Sequence, residues 1–497
     1  MDMDRVARTA VSVWLGAALA FAPPAQAAPS RADRELEARL RAHIEVLASD
    51  DFEGREPGTE GEAKTLRYLG RQWYDIGLVS GTNDPGNEWF APVTLVAREP
   101  ASSAAQFFRR GKRVWFDPAK ILMLTSGKRS LVREAPLLFV GRAEGMDFTR
   151  NELAGRVAVM LDGDGIDSER QSKLLAQGAS AVITVLDGDR TLDQVAARRR
   201  RSGYALAEDS LGGDLEGFVT RDAMDDLLRY SGRTLAALEK VAAGPDFRPV
   251  MLDLSASLEA TTRETTIRTH NLIGKLPGRR PDAGAVLLVA HWDHFGTCAA
   301  PPAEDLICNG AIDNASGVAA LTEIARRLAR GPQLDRDVYF LATTAEELGL
   351  LGAHAFAENP PLPPNQIVAG FNIDSIALAP QGTPFAIVGR GMTGLDAEIE
   401  KAARHEKVKI VASDEANEYV KRQDGWALMQ HDIPTVMVTT AYGDISRIKA
   451  FFDGDYHRPS DDLSHPLQLG GEVDDVKLLT ALARWFGDLR RVPMKAK

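Results

Sequence analysis

The second half of the chain alternates short apolar runs with stretches whose apolar residues recur at helical spacing. This alternation predicts buried strands in a sheet that is covered by helices on both faces. Strands are predicted at Ala285–Ala290, Val338–Thr344, Ile367–Ile373, Phe385–Val388 and Thr435–Thr440. Helices are predicted at Ser316–Ala329, Gly352–Ala357, Leu395–His405 and Gly425–Gln430.

The first half has a different pattern. Asp33–Leu47 is amphipathic, with Leu36, Leu40 and Ile44 on one face, and predicts a helix. Thr59–Gly77 predicts a second helix. After residue 127 the pattern changes to short β-rich pieces, which are Pro136–Val140, Val157–Leu161 and Ala181–Val185. These pieces predict a small mixed α/β unit of its own.

The N-terminus has the three parts of a signal peptide. Arg5 and Arg8 precede an apolar run at Ala10–Ala22, and Ala25-Gln26-Ala27 supplies a small-x-small cleavage pattern. A membrane anchor is the alternative, but a bilayer span needs about 20 apolar residues. We therefore expect a mature chain that begins near Ala28, has no stable membrane anchor, and is periplasmic or secreted.

The charge of the chain excludes one class of partner. The 497 residues carry a formal net charge of −11, with 44% hydrophobic and 26% charged residues. A nucleic-acid partner requires a basic face, so we expect no nucleic-acid binding. The composition is that of an ordinary globular protein, and the length predicts more than one domain.

The chain contains two cysteines, Cys298 and Cys308, which flank a Pro-Pro loop. Export would place them in an oxidising compartment. Two free buried thiols are the alternative, but the short spacing favours a disulfide bond. Closing so short a loop contributes about 2–3 kcal/mol of stability.

Ionisable residues collect where the predicted strands end. Ligands of open α/β sheets bind at the carboxyl ends of the strands. His291 and Asp293 follow the first of these strands, Glu346 and Glu347 follow the second, and further residues of this kind are Asp374, Asp313 in a turn before a helix, and His457 after a long loop. Carboxylates at one rim would repel each other unless a cation lay among them.

Nitrogen and carboxylate ligands without thiolate suit Zn²⁺, Mn²⁺ or Co²⁺. Seven such residues are named above, and even five ligands among them would exceed the three that one catalytic zinc usually takes from a protein. They suit two metal ions that share one carboxylate.

Backbone geometry suggests roles for the residues next to the candidate ligands. The His-x-Asp spacing suits a ligand, His291, that is oriented by a supporting carboxylate, Asp293. Consecutive side chains diverge, so one of Glu346 and Glu347 can bind a metal while the other acts as general base. His294 lies close by, and its role is left open.

Stretches of the chain resemble the motifs of the M28 family of zinc peptidases, in the family's order. They are Leu47–Gly58 (LASDDFEGREPG), His291–Gly296 (HWDHFG), Gly310–Gly317 (GAIDNASG), Ala345–Leu350 (AEELGL), Asn372–Asp374 (NID) and Asp455–Asp461 (DYHRPSD). The unit in the middle of the chain resembles a protease-associated (PA) domain.

The resemblance implies a zinc-peptidase/phosphorylase-like α/β fold, in which helices sandwich a mixed central β-sheet and a small α/β PA-like domain is inserted. We accordingly divide the chain into a signal peptide at 1–27, the N-terminal part of a catalytic domain at 28–126, the PA-like insert at 127–245, and the metal-binding part of the catalytic domain at 246–497.

The resemblance also implies two Zn²⁺ per chain, with Mn²⁺ or Co²⁺ as alternatives. His291 and Asp374 would bind one ion, and Glu347 and His457 would bind the other. Asp313 would bridge the two ions.

Further roles follow from the resemblance. Glu346 would be the general base that takes a proton from the attacking water. Tyr456 would hydrogen-bond the oxyanion, and Asp293 would support His291. The family often has Ser-Asp-His in the stretch where this chain reads Arg422-Gln-Asp-Gly-Trp426. Asp424 matches the Asp, but the flanking Ser and His are missing, so Asp424 is a substrate-side candidate in a stretch that departs from the family.

The function that this implies is an exported zinc aminopeptidase acting on peptide substrates. A glutaminyl cyclase-like transferase with a single zinc is one alternative, and a carboxypeptidase or dipeptidase of the same fold is another. A non-catalytic binding module is less consistent with the sequence, because no ligand position has been lost. The oligomeric state stays open.

Overall fold

The computed structural model describes residues 29–82, 89–163, 167–187, 190–201, 203–209 and 213–494. The predicted signal peptide at 1–27 lies outside these residues. Within them, no helix is both long enough and apolar enough to cross a bilayer.

Helices in the described residues are α1 (Arg31–Leu47), α2 (Glu60–Ile76), α3 (Arg150–Leu153), α4 (Asp167–Ala176), α5 (Leu192–Arg201), α6 (Arg221–Arg229), α7 (Leu235–Ala242), α8 (Gly317–Ala329), α9 (Leu351–Glu358), α10 (Asp396–Glu406), α11 (Asp424–Gln430), α12 (Ile445–Asp453) and α13 (Leu469–Gly487).

Strands in the same residues are β1 (Val79–Ser80), β2 (Phe90–Arg109), β3 (Lys112–Val114), β4 (Ile121–Thr125), β5 (Arg129–Phe139), β6 (Val157–Leu161), β7 (Ala181–Val185), β8 (Tyr204–Leu206), β9 (Leu215–Val219), β10 (Val250–Leu276), β11 (Ala285–His291), β12 (Gly296–Thr297), β13 (Ile307–Cys308), β14 (Asp337–Thr343), β15 (Ile367–Asn372), β16 (Ala386–Val388) and β17 (Thr435–Thr439).

The second half of the chain forms a mixed sheet in the order β16-β17-β15-β11-β14-β10. Strands β17, β15, β11 and β14 are parallel, and β16 and β10 flank them as antiparallel strands. Every residue of β11 and β14 is buried, as expected for strands that are covered on both faces. The predicted α/β fold with a mixed central sheet is confirmed.

Helices cover both faces of this sheet. On one face, α1, α2, α8 and α13 pack through a large apolar core that includes Leu40, Trp73 and Phe340. On the other face, α9 and α11 pack through a smaller core that includes Phe356 and Leu428. Each fully buried large apolar side chain contributes about 1.5–3 kcal/mol, so these two cores hold the sheet in place.

The residues between β3 and α7 form a second α/β unit with its own apolar core, which includes Phe139, Ile183 and Leu227. Its strands continue the sheet in the order β10-β5-β6-β7-β9-β4. The 27-residue strand β10 runs through both units and pairs with the 20-residue strand β2. One sheet therefore joins the two units.

The predicted strands and helices of the second half are present within two residues of their predicted ends. The long loop predicted before His457 is wrong, because α12 lies there. Ile448 and Phe451 bury one face of that helix, and the Asp444 side chain accepts a hydrogen bond from the Ser446 amide at its start. The sequence pattern did not predict the long strands β2 and β10.

Candidate metal centre

The candidate ligands converge because neighbouring parallel strands end at one edge of the sheet. Strand β11 ends at His291, Glu346 and Glu347 follow β14 closely, and Asp374 follows β15. Asp313 lies in the turn that leads into α8, and His457 follows α12.

Two histidines share the carboxylate of Asp313. The Nε2 atom of His291 lies 3.2 Å from Oδ1 of Asp313 and 3.5 Å from Oδ1 of Asp374. The Nε2 atom of His457 lies 3.5 Å from Oδ2 of Asp313 and 2.9 Å from Oε2 of Glu347. Each oxygen of Asp313 therefore faces one histidine–carboxylate pair.

These residues fit metal ions by their donor chemistry. The Nε2 atoms of His291 and His457 and the Oε1 atom of Glu346 are buried without a hydrogen-bond partner in the described residues. His291, Asp313 and Asp374 each offer one possible ligand atom, and these three atoms lie within 4.8 Å of one another. Buried nitrogen and oxygen atoms that lie close together and have no hydrogen-bond partner are expected where a cation binds.

Burial and crowding of carboxylates perturb the titration of the site. Burial, together with nearby carboxylates, raises the pKa of Glu346 well above its usual value and raises that of Asp374. Burial acts on Asp313 in the same direction, but contacts with His291 and His457 outweigh it and hold the pKa of Asp313 well below its usual value.

Hydrogen bonds to Asp461 and tight packing at Gly310 fix the turn that carries Asp313. Asp461 accepts hydrogen bonds from the amides of Ile312 at 2.9 Å and Asp313 at 3.0 Å. Gly310 has a φ of 58°, and a Cβ there would lie 2.0 Å from the carbonyl oxygen of Asp313. The turn therefore requires glycine at this position. The Asp313–Asn314 peptide bond is cis.

Residues 271–475 match the profile of peptidase family M28. This segment belongs to that family. It contains every predicted metal ligand.

Two aminopeptidases are similar to this chain. Aminopeptidase YwaD from Bacillus subtilis (strain 168) is 27% identical over 226 residues, which are 45% of this chain and 40% of that protein. The chain thus matches less than half the length of this curated relative. A solved aminopeptidase from Aneurinibacillus sp. strain AM-1 superposes with a TM-score of 0.54 and 18% identity, covering 92% of this chain and 96% of that one. At this identity the likeness shows a common fold.

Within the M28 segment, the Asp293 carboxylate is hydrogen-bonded to the backbone of Glu346 and Glu347. It accepts hydrogen bonds from the amides of Glu346 at 3.1 Å and Glu347 at 3.4 Å. Its Oδ1 atom lies 3.8 Å from Nδ1 of His291, whereas the backbone oxygen of Asp293 lies closer, at 3.2 Å. Burial raises the pKa of Asp293 to about 7.

The sequence left the role of His294 open. In the structure, its side chain lies beside Glu347, one of the candidate ligands. Its Nδ1 atom is 2.5 Å from Oε1 of Glu347, while His457 contacts the other oxygen of the same carboxylate. The two histidines therefore fix both oxygens of Glu347. The adjacent position in the HWDH stretch was the only sequence signal for this contact.

Arg55 lies outside the M28 segment, but its side chain contacts the backbone next to two candidate ligands, His291 and Asp313. The fully buried guanidinium donates to the carbonyl oxygens of Leu47 at 2.7 Å, Trp292 at 2.8 Å, Asn309 at 2.6 Å and Gly310 at 2.9 Å. These carbonyls belong to α1, to the loop that follows His291 and to the loop that precedes Asp313. One side chain thus ties the N-terminal helix to both loops.

The backbone around Arg55 packs against the cysteine-bearing hairpin. Gly54 has a φ of 65°, and a Cβ there would lie 2.5 Å from the carbonyl oxygen of Cys308. Burial lowers the pKa of Arg55 to about 10, and nearby carboxylates such as Asp461 and Asp293 act against this. The guanidinium is therefore still charged at neutral pH.

Tyr456 and Asp424 make different contacts. The half-buried ring of Tyr456 stacks on that of His457, with 3.6 Å between the ring centroids. Asp424 accepts a hydrogen bond from the Thr343 hydroxyl, and burial raises its pKa to about 6. Asp424 is buried, with 1% of its surface exposed.

Cys298 and Cys308 are joined in a disulfide bond. The bond clips the β12–β13 hairpin, where Gly296 pairs with Cys308. Among the described residues, the candidate metal-binding groups contain no cysteine. The disulfide therefore belongs to the loop between His291 and Asp313 and lies apart from the metal ligands.

Proposed function

We propose that this protein is an exported dinuclear zinc metallopeptidase that removes N-terminal residues from peptides. The observation that carries the proposal is the Asp313 carboxylate, whose two oxygens face two separate histidine–carboxylate pairs. The name of the Bacillus subtilis relative, an aminopeptidase, supports the choice of activity.

In this proposal, His291 and Asp374 hold one zinc ion, Glu347 and His457 hold the other, and Asp313 lies between them. The ions, when bound, supply Lewis-acid chemistry at a water molecule and at the scissile carbonyl. Asp293 positions Glu346 and Glu347 through their backbone amides.

Glu346 acts as general base. Its Oε1 atom is buried without a partner in the described residues, which leaves it available to a proton. Glu346 takes a proton from the attacking water and passes it to the nitrogen of the leaving amine as the C–N bond breaks.

Tyr456 assists by donating a hydrogen bond to the developing oxyanion. Burial and the surrounding carboxylates raise its pKa, so its hydroxyl keeps its proton at neutral pH. Asp424 is the substrate-side candidate, and carboxylates at the rim of the centre would hold the free α-amine.

We also propose the domain division that the sequence suggests, with a signal peptide at 1–27 and a PA-like insert at 127–245. The separate apolar core of the insert supports this division. Export is supported by the disulfide bond, which suits an oxidising compartment.

A panel of aminoacyl-nitroanilides with N-acetylated counterparts, assayed with and without chelator, tests the proposed function. We expect release of nitroaniline only from substrates with a free amine, and only without chelator. Equal cleavage of blocked and free substrates would contradict an aminopeptidase, and activity that survives chelation would contradict a metallopeptidase.

A further inference from the structure

An aromatic wall, formed by Tyr456, Phe452 and Tyr419, extends from the metal centre. Tyr456 stacks on the ligand candidate His457. Phe452 contacts Tyr456 edge to face, with 4.7 Å between ring centroids, and stacks on Tyr419 at 5.2 Å. The wall therefore runs from a predicted ligand toward α11.

Arg422 caps the far end of this wall. Its guanidinium lies 5.3 Å from the ring centroid of Phe452 and 5.8 Å from that of Tyr419. The side chain is exposed, and it forms no ion pair with any other residue that the structure describes. A cation held against two aromatic faces is restricted in orientation without using its N–H donors.

The buried residue Tyr442 contacts the aromatic wall. Its ring contacts that of Tyr419, with 5.5 Å between centroids. Burial and the charges of Asp374 and Asp313 raise the pKa of Tyr442, and Arg422 acts in the opposite direction. Both the site and Arg422 are therefore within electrostatic reach of one hydroxyl.

We infer that Arg422 is a specificity-determining residue that binds a carboxylate of the peptide substrate. The planar fork of a guanidinium matches a carboxylate with two parallel hydrogen bonds. The inference rests on the proposed function. The carboxylate belongs either to an acidic side chain or to the free C-terminus of a short peptide.

Paired substrates separate these two sources. Leucylglycine and leucylglycinamide differ only in a C-terminal carboxylate. Leucylglutamate amide and leucylglutamine amide differ in the second side chain, and glutamyl- and glutaminyl-nitroanilide differ in the first. The measurement is kcat/KM for each pair with wild type, Arg422→Gln and Arg422→Lys.

Lys421 supplies the matched control. It is the neighbouring exposed cation, but its ammonium lies over Trp426, 5.7 Å from the ring centroid, and not over the aromatic wall. We expect Lys421→Gln to leave every ratio unchanged.

We expect Arg422→Gln to lower the carboxylate-to-amide ratio of kcat/KM by about tenfold for one pair, since a charge-assisted hydrogen bond is lost. Arg422→Lys should retain part of the preference. Equal effects of Arg422→Gln on all substrates, or no effect, would overturn the inference.

Failure of the proposed function has a different signature. Wild-type protein would then cleave no substrate with a free amine. Calorimetric binding of leucylglycine with leucylglycinamide, and of leucylglutamate amide with leucylglutamine amide, still tests Arg422 in that case. Tighter binding of the acid in one pair, lost in Arg422→Gln, supports the inference. Equal binding of acid and amide to wild type in both pairs would overturn it.

Discussion

The Arg55 guanidinium donates a hydrogen bond of 2.9 Å to the carbonyl oxygen of Gly310, at the start of the turn that presents Asp313. The same side chain holds Trp292, next to His291. Two candidate ligands of one ion thus depend on a single buried cation from a distant part of the chain. A fixed supporting network of this kind orients metal ligands.

Arg55→Lys should lower the zinc affinity of the protein by about 10- to 100-fold. Lysine keeps the charge, but its compact ammonium cannot reproduce the planar fork that reaches four carbonyl oxygens. Competition titration against a zinc chelator of known affinity measures the change.

Arg336→Lys is the matched control. Arg336 is also fully buried and donates to backbone carbonyls, those of Ala283 and Phe486, which lie outside the candidate centre. We expect this variant to lose stability while its zinc affinity stays unchanged. Equal loss of zinc affinity in both variants would mean that Arg55 acts only through general stability.

Glu323 should make folding stability depend on acid pH. Burial alone would raise its pKa, but contacts with His43, Arg39 and Arg326 outweigh burial and lower the pKa to about 2. The usual value is 4.5, so the unfolded chain binds the proton first as pH falls. The stabilisation is complete above pH 4.5 and is lost as pH falls toward 2.

We therefore expect Glu323→Gln to lower the free energy of unfolding by about 1–3 kcal/mol at pH 7. Urea unfolding of the metal-free protein should show this difference shrinking as the pH falls below 4.5. Glu35→Gln, which removes an exposed pair with Arg31, should change stability by less than about 0.5 kcal/mol. A constant difference across this pH range would contradict the assignment.

Removal of the disulfide should affect stability and not metal binding. The double variant Cys298→Ser/Cys308→Ser is expected to lose about 2–3 kcal/mol of unfolding free energy, because the unfolded chain is no longer constrained. Its zinc content should match that of the wild type. Loss of zinc in this variant would place a sulfur atom among the ligands.

Metal stoichiometry distinguishes the proposed centre from a single-zinc transferase. Elemental analysis of wild-type protein should give two zinc ions per chain, since the oxygens of Asp313 face two separate groups. His291→Ala and His457→Ala should each reduce the content to about one. A single zinc in the wild type would favour glutaminyl cyclase-like chemistry.

The sequence correctly predicted that four residues lie close together at one edge of the sheet, namely His291, Glu346, Glu347 and Asp374. Each follows a continuous apolar run, and such runs form buried parallel strands whose carboxyl ends meet at one edge. Strand ends can therefore be located from hydropathy alone. Assigning a role to each residue required the family motifs.

The supporting contacts could not be predicted in this way. Arg55 donates to backbone carbonyls, which leave no trace in the pattern of side chains. Asp461 accepts from backbone amides for the same reason. The long strand β10 escaped prediction because its middle, around Arg263–Thr266, is polar and exposed where it crosses from one unit to the other.

Glu346→Gln tests the central claim most directly, because glutamine keeps the shape of the side chain but cannot accept the proton from water. The measurement is kcat for an aminoacyl-nitroanilide, with zinc content determined on the same sample. The account predicts that kcat falls by about 10²- to 10⁴-fold while the zinc content is unchanged. A kcat near that of the wild type, with zinc fully bound, would contradict it.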